Sequence, residues 1–264
     1  MTRRLGIGII ALTAFAAIAG PWLVPYDPNT QWLAQRLQGP SWTHLLGLDE
    51  LGRDILARLL GGARISLFVG LSVVSVSASL GILIGAVAGY AGGRVDNIVG
   101  RVMDVLLAFP GILLAIALVA VLGPSLTNVV LALVVIGWVG YARLVRGQVL
   151  KVRELEYVQA ARALGAPVSR ILWRHVIPAT LPAVTVQATI GMAGSIIAEA
   201  SLSFLGLGVQ PPTPSWGTML DAGRAHLFDA PHLTIFPGVA IALLVLGFNF
   251  VGDALRDHID PRTT

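Results

Sequence analysis

The sequence predicts an all-α fold, a polytopic membrane helix bundle, and three observations carry that prediction. Only 12% of the 264 residues are charged, about half the share usual in a soluble domain. Mean hydropathy is +0.79. Six apolar stretches recur at 5–24, 65–90, 102–122, 126–144, 183–205 and 233–251, each close to the roughly twenty residues that a helix needs to cross a bilayer.

The first stretch follows Met1-Thr2-Arg3-Arg4. A basic start and the small residues Ala17-Ile18-Ala19-Gly20 resemble a cleavable leader, but the apolar run is longer than a leader core, so an uncleaved helix is expected. The segment to residue 64 is taken as an N-terminal helix with its external stretch, and 65–264 as the main bundle. Sorting the 18 Lys and Arg by the loops between spans places thirteen on one side and five on the other. The excess puts both termini in the cytoplasm. Cysteine is absent, which excludes disulfides and thiolate metal sites.

About forty residues link the first two spans. Trp22, Tyr26, Trp32 and Trp42 suit interface anchors there. Leu51, Ile55, Leu56, Leu59 and Leu60 fit one face of a short surface helix, with Asp54 and Arg58 paired four apart on its polar side. The second span is rich in Ser, Gly and Ala, which lets membrane helices approach closely. The third contains Pro110, which predicts a bend. Asp104 at its entrance either pairs with Arg101, reaches the interface or lines a path across the membrane. Glu199 lies inside the fifth span, and an acid there needs a partner or water. It is a candidate gate or lining residue, with a purely structural hydrogen bond as the alternative. The loop after it is proline-rich; His226 and His232 with Asp221 and Asp229 match no metal-binding spacing.

One polar, basic island interrupts this apolar chain, the stretch ELEYVQAARALGAPVSRILWRHVIPATLP at 154–182. Ala160, Ala161 and Gly165 place small side chains on neighbouring helical turns. Gly165 suits a helix C′ position and Pro167 the first position of a new helix. Val168, Ile171, Leu172 and Val176 then recur at helical spacing, Arg170 and Arg174 fall on another face, and Pro178 is expected to end the helix. Two short helices with such a corner also resemble a DNA-binding helix-turn-helix, but spanning segments on both sides place the island on a membrane surface and no nucleic acid is expected.

No Walker, metal-ligand-helix or nucleophile motif occurs in the chain. Matched broken helices with ionisable residues, the mark of many ion-coupled carriers, are not evident either. A bundle with one docking loop reads as a pore-forming subunit driven by something else; a stand-alone channel or carrier is the alternative from another class.

The island resembles the EAA loop of importer-type ABC transporter permeases. Gln159, Ala160 and Ala161, then Gly165, then His175, Ile177 and Pro178 fall on its pattern. Gln159 stands where that pattern has an acid, His175 where it has Ile, and Ile177 where it has Leu. The stretches 44–54, 62–67, 104–110, 199–208, 211–217 and 253–261 are similar, in order, to signatures of the dipeptide, oligopeptide and nickel branch, and to its C-type permease. The resemblance implies a type I importer permease fold with six spans in a prokaryotic inner membrane. It implies a B-type permease partner, two ATP-binding subunits that carry ATP and Mg, and an external solute-binding protein, with no cofactor and no catalysis in this chain. Coupling to the ATPases would fall on Tyr157, Gln159, Ala160, Ala161, Gly165, Arg170, Arg174 and Pro178. Peptide is the expected solute, with nickel or another small solute as the alternative.

Overall fold

The computed structural model describes residues 2–259. The end of the 253–261 signature and Arg262 of the charge count lie outside the described residues. Among the described residues ten α-helices follow in order: α1 (Thr2–Leu23), α2 (Ile55–Ala91), α3 (Gly93–Leu107), α4 (Gly111–Leu122), α5 (Leu126–Val152), α6 (Glu156–Ala163), α7 (Val168–Ile171), α8 (Ile177–Phe204), α9 (Trp216–Gly223) and α10 (His232–Ile259). Among the described residues there is no named strand; the one extended pairing is an isolated bridge between Leu48 and Asp54.

Among the described residues five helical stretches are long and apolar enough to cross a membrane uninterrupted, and a sixth candidate is the bent pair α3–α4. The bend expected at Pro110 is an 84° turn. It corrects the third span: residues 102–107 belong to α3. Twelve residues of α4 rise only about 18 Å, short of the roughly 30 Å apolar layer. Pro110 stands as the residue before α4, its carbonyl accepting from Leu114 at 3.1 Å, so the break costs no interior hydrogen bond.

Chain direction defines two faces. Residues 24–54 and 205–231 lie together on what we call the cap face. The α2–α3 junction and 153–167 lie on the other, the corner face. α2 and α5 run in the same direction and pack closely, because a Cβ on Gly81 would stand 2.3 Å from Tyr141 Cβ and one on Gly85 2.5 Å from the Ala142 carbonyl oxygen. Small residues at a helix contact let backbones meet this way. α8 joins the same core: Val69, Val129 and Leu202 cluster toward the cap face. Val74, Tyr141, Val149, Ile177 and Val184 cluster toward the corner face.

α1 packs on α10 and α2. Arg64 donates to the carbonyl oxygens of Ala17 and Ile18, the latter at 3.0 Å. Pro21 explains the first bond: it has no N–H, so the Ala17 carbonyl four residues earlier lacks its helical donor, and the guanidinium takes its place.

The cap differs from the surface helix expected at 51–60. The helix begins at Ile55 and continues without a break to Ala91, across the 64/65 boundary. Asp54 is its N-cap, accepting from Ala57 N–H at 2.8 Å, and its other oxygen meets His44 Nδ1 at 2.8 Å. It does not pair with Arg58. Arg58 and Arg53 both face Asp49, at 3.5 and 2.7 Å. An N-cap carboxylate satisfies an otherwise orphaned helix N–H, which outcompetes the exposed i,i+4 pair. Trp22 and Trp42 are exposed as anchors would be, whereas Tyr26 and Trp32 pack their rings on His44 at 4.7 and 5.4 Å.

Candidate functional site

The corner is built from α6 and α7. α6 ends at Ala163 with Leu164 as its C-cap, and Gly165 follows with φ +78°. Gly165 N–H donates to the Arg162 carbonyl at 3.0 Å and Ala166 N–H to the Ala161 carbonyl at 3.1 Å. These two bonds form a Schellman motif with glycine in its left-handed position. Pro167 caps α7 one residue earlier than spacing placed it, its φ of −65° preset for the role. Pro178 does not end the helix. A π-helical turn, Leu172–Val176, joins α7 to α8, and 168–204 form one 37-residue helix. Proline in the first turn of α8 is tolerated because the widened turn reroutes the backbone bonds that a regular helix would lose there.

The corner has two sides. Val158 and Ile171 are buried among Val149, Val152 and Val176, which bolts it to α5 and α8. Outward stand Leu164, 88% exposed, with Tyr157, Val168 and Trp173 also exposed. Ala160, Arg170 and Arg174 are exposed on the same rim, and nothing stands within 4 Å of a Cβ on Gly165. Gln159 turns back: its Nε2 donates to the Arg153 carbonyl at the end of α5, at 2.9 Å.

Asp104 pairs with Arg143 of α5 at 2.9 Å rather than with Arg101, and both side chains are more than half exposed. About two turns earlier in α3, Asp96 accepts from Arg146 Nε and from its Nη2, the latter at 2.7 Å. The amphipathic α3 thus lies against α5 through ion pairs and Met103, which packs with Val139 and Ala142.

Glu199 is fully buried and accepts from Ser203 Oγ at 2.7 Å. The hydroxyls of Ser66 and Ser215 lie close enough to act on the same carboxyl group, although Oε2 and Ser66 Oγ complete no hydrogen bond. Ser215 opens α9 in a capping box with Thr218, and Trp216 Nε1 donates to the Leu59 carbonyl at 2.9 Å. Glu199 therefore sits where α2, α8 and α9 meet beneath the cap face.

A separate cavity of about 300 Å³ lies midway along α2, α5 and α8, beside the α3–α4 break. Ser77, Tyr141, Gln187 and Ser195 supply its polar atoms, and Gly111 and Ile112 of α4 line its rim. Neither Glu199 nor Asp104 lines it. Residue-type reasoning passed over Tyr141 and Gln187; the signal was present, since each is a polar group in mid-span.

The histidines of the second loop do not converge. His226 pairs with Asp229 at 3.0 Å, holding that carboxyl below the usual carboxylate range, whereas His232 faces the Leu48 carbonyl at 3.4 Å. Among the described residues no three His, Cys, Asp or Glu stand together as metal ligands.

Residues 81–264 match the binding-protein-dependent transport system inner membrane component family, and residues 4–40 match the N-terminal TM domain of oligopeptide transport permease C. The chain is 47% identical over 258 residues to the glutathione transport system permease protein GsiD of Pectobacterium atrosepticum, covering 97% of this chain and 85% of that one. It is 45% identical over 258 residues to the dipeptide transport system permease protein DppC of Alkalihalophilus pseudofirmus, with the same coverage. It is 44% identical over 263 residues to the di/tripeptide transport system permease protein DppC of Pseudomonas aeruginosa, covering 97% and 87%. By these matches the chain belongs to the family of binding-protein-dependent transport system inner membrane components.

Proposed function

We propose that this chain is one transmembrane half of an ATP-driven importer of short peptides, and that the α6–α7 corner receives the motion of an ATPase subunit. The supporting observation is the corner's two-sidedness: buried Val158 and Ile171 join it to the core, while Leu164 and Val168 stand exposed, beside Tyr157, whose half-exposed ring rests on His175. Such a patch marks an interaction site. The substrate class follows relatives named for glutathione, dipeptides and di/tripeptides.

In this reading the corner face is cytoplasmic, in keeping with the basic excess, and so are both termini. A second permease completes the pore, two ATPase subunits hold ATP and Mg, and an external binding protein delivers the solute to the cap face. ATP binding draws the ATPases together. Each corner moves with its ATPase, and α5 and α8, rigidly attached to it, tilt to open the pore outward. Hydrolysis resets them.

The test is Gly165→Trp in the full complex reconstituted in vesicles. Any side chain at φ +78° is strained, and the indole would project into the space where the partner docks. Uptake of a labelled dipeptide should fall to background while the chain still inserts. Unchanged uptake would overturn the coupling assignment.

A further inference from the structure

The mid-membrane cavity contains polar groups that the fold leaves unused. Ser77 Oγ and Tyr141 Oη have no hydrogen-bond partner, although the residues are only 1% and 5% exposed. A buried hydroxyl without a partner is destabilising, so two in one cavity need an explanation. The space is built for one of them, because a Cβ on Gly191 would stand 2.4 Å from Tyr141 Oη. Gln187 and Ser195 add a carboxamide and another hydroxyl. All four groups are neutral, and each can both donate and accept. The rim supplies a further element: α4 starts there, no side chain caps it, and its first N–H groups have no intrahelical acceptor.

We propose that this cavity is a binding site for the backbone of a peptide in transit, which it holds by amide hydrogen bonds and not by charge. The inference rests on the importer reading. Peptide N–H and C=O groups alternate as donor and acceptor, matching the hydroxyls and the carboxamide. A carbonyl or terminal carboxylate facing α4 meets the positive end of that helix. The lining has no carboxylate, imidazole or ammonium group, so it offers a bare divalent cation none of its preferred ligands. It reads no side-chain charge, which suits passage of peptides differing in sequence.

The experiment uses the whole importer in vesicles and alanyl-alanine as the solute. Tyr141→Phe removes one oxygen and leaves the ring in place. Because that oxygen is unpartnered in the empty cavity, the variant should melt at an equal or higher temperature than wild type. Its uptake should nonetheless fall, roughly three- to tenfold for one lost hydrogen bond in transit, and Gln187→Leu should fall by a similar factor. Ser79→Ala, whose hydroxyl bonds only the Ser75 carbonyl of its own helix, should transport as wild type does. Wild-type uptake matched by both cavity variants would overturn the proposal and leave the importer reading intact. A wild-type complex with no ATP-dependent uptake would overturn the importer reading, and the proposal with it. A lower melting temperature for Tyr141→Phe would assign the hydroxyl to folding and overturn the proposal as well.

Discussion

On the cap face His44, Asp49, Arg53, Asp54 and Arg58 are each 8% exposed or less, and every one meets an ionisable partner within the cap. On the corner face the prominent side chains are Tyr157, Leu164, Val168 and Trp173, apolar or aromatic and between 47% and 88% exposed. Buried ion pairs permit one arrangement, since separating them strands a charge away from water. Exposed apolar groups are indifferent to small shifts until something covers them. Both ends expose apolar side chains, Trp42 and Phe228 on the cap face among them; the difference is that the cap is anchored on a buried cluster of ion pairs, which makes it a fixed frame, whereas the corner is anchored on the apolar Val158 and Ile171. The cavity lies between the two, at the level where α3 and α4 part.

Asp49 offers the strongest way to break the comparison. It accepts from Arg53 Nε at 2.7 Å and from the N–H groups of Leu51 and Arg53, with Arg58 Nε 3.5 Å away. Asp49→Ala leaves two buried guanidiniums without a carboxylate and should cost about 3–5 kcal/mol, read as a lower melting temperature in detergent. A loss below about 1 kcal/mol would mean that water reaches both arginines and that the cap is no frame.

Glu199 comes next. Glu199→Ala strands Ser203 and opens a void among α2, α8 and α9, at a cost of about 1–3 kcal/mol. Glu199→Gln keeps an acceptor and should recover most of that stability. Uptake should follow the folded fraction in both variants. A stable Glu199→Gln complex that fails to transport would instead give Glu199 the gating role that its place in an apolar span first suggested.

Much of the fold is legible because apolar run length is a local quantity. The five uninterrupted helices follow from it, while the turn at Pro110 and the Gly165 corner are legible from single residues, a proline and a glycine whose turn few other residues adopt freely. The cap is not legible in the same way. Local spacing pairs Asp54 with Arg58, whereas folding sets Asp54 against His44 and brings Asp49 to Arg53 and Arg58, and which acid meets which base is decided by helix start geometry. Asp104 finds Arg143, 39 residues on, a pairing that no local spacing encodes. Pro178 misleads because the usual rule assumes an α-helical turn before it, whereas a π turn is present. The cavity escapes for a different reason. A neutral Tyr, Gln or Ser in a span looks like packing, and only the absence of a partner marks it as available.

The smallest expected change in stability is also the one that sharpens the corner side of the comparison. Gln159 Nε2 donates to the Arg153 carbonyl, tying α6 to the C-cap residue of α5 at an exposed site. Water can replace that bond, so Gln159→Ala should shift unfolding by less than about 1 kcal/mol. Its consequence should lie in transmission, because a looser joint lets the corner move without carrying α5. Less peptide should then be taken up per ATP hydrolysed by the reconstituted complex. Gln159→Glu separates this from a contact with the ATPase. A carboxylate has no hydrogen to donate to a carbonyl, so it breaks the same internal bond while restoring a charge that a partner could use. If the bond to Arg153 is what matters, Glu and Ala lower the uptake ratio alike. If Gln159→Glu transports as wild type does and Gln159→Ala does not, the position acts across the interface, and the corner is even less tied to its own chain than its hydrogen bonds suggest.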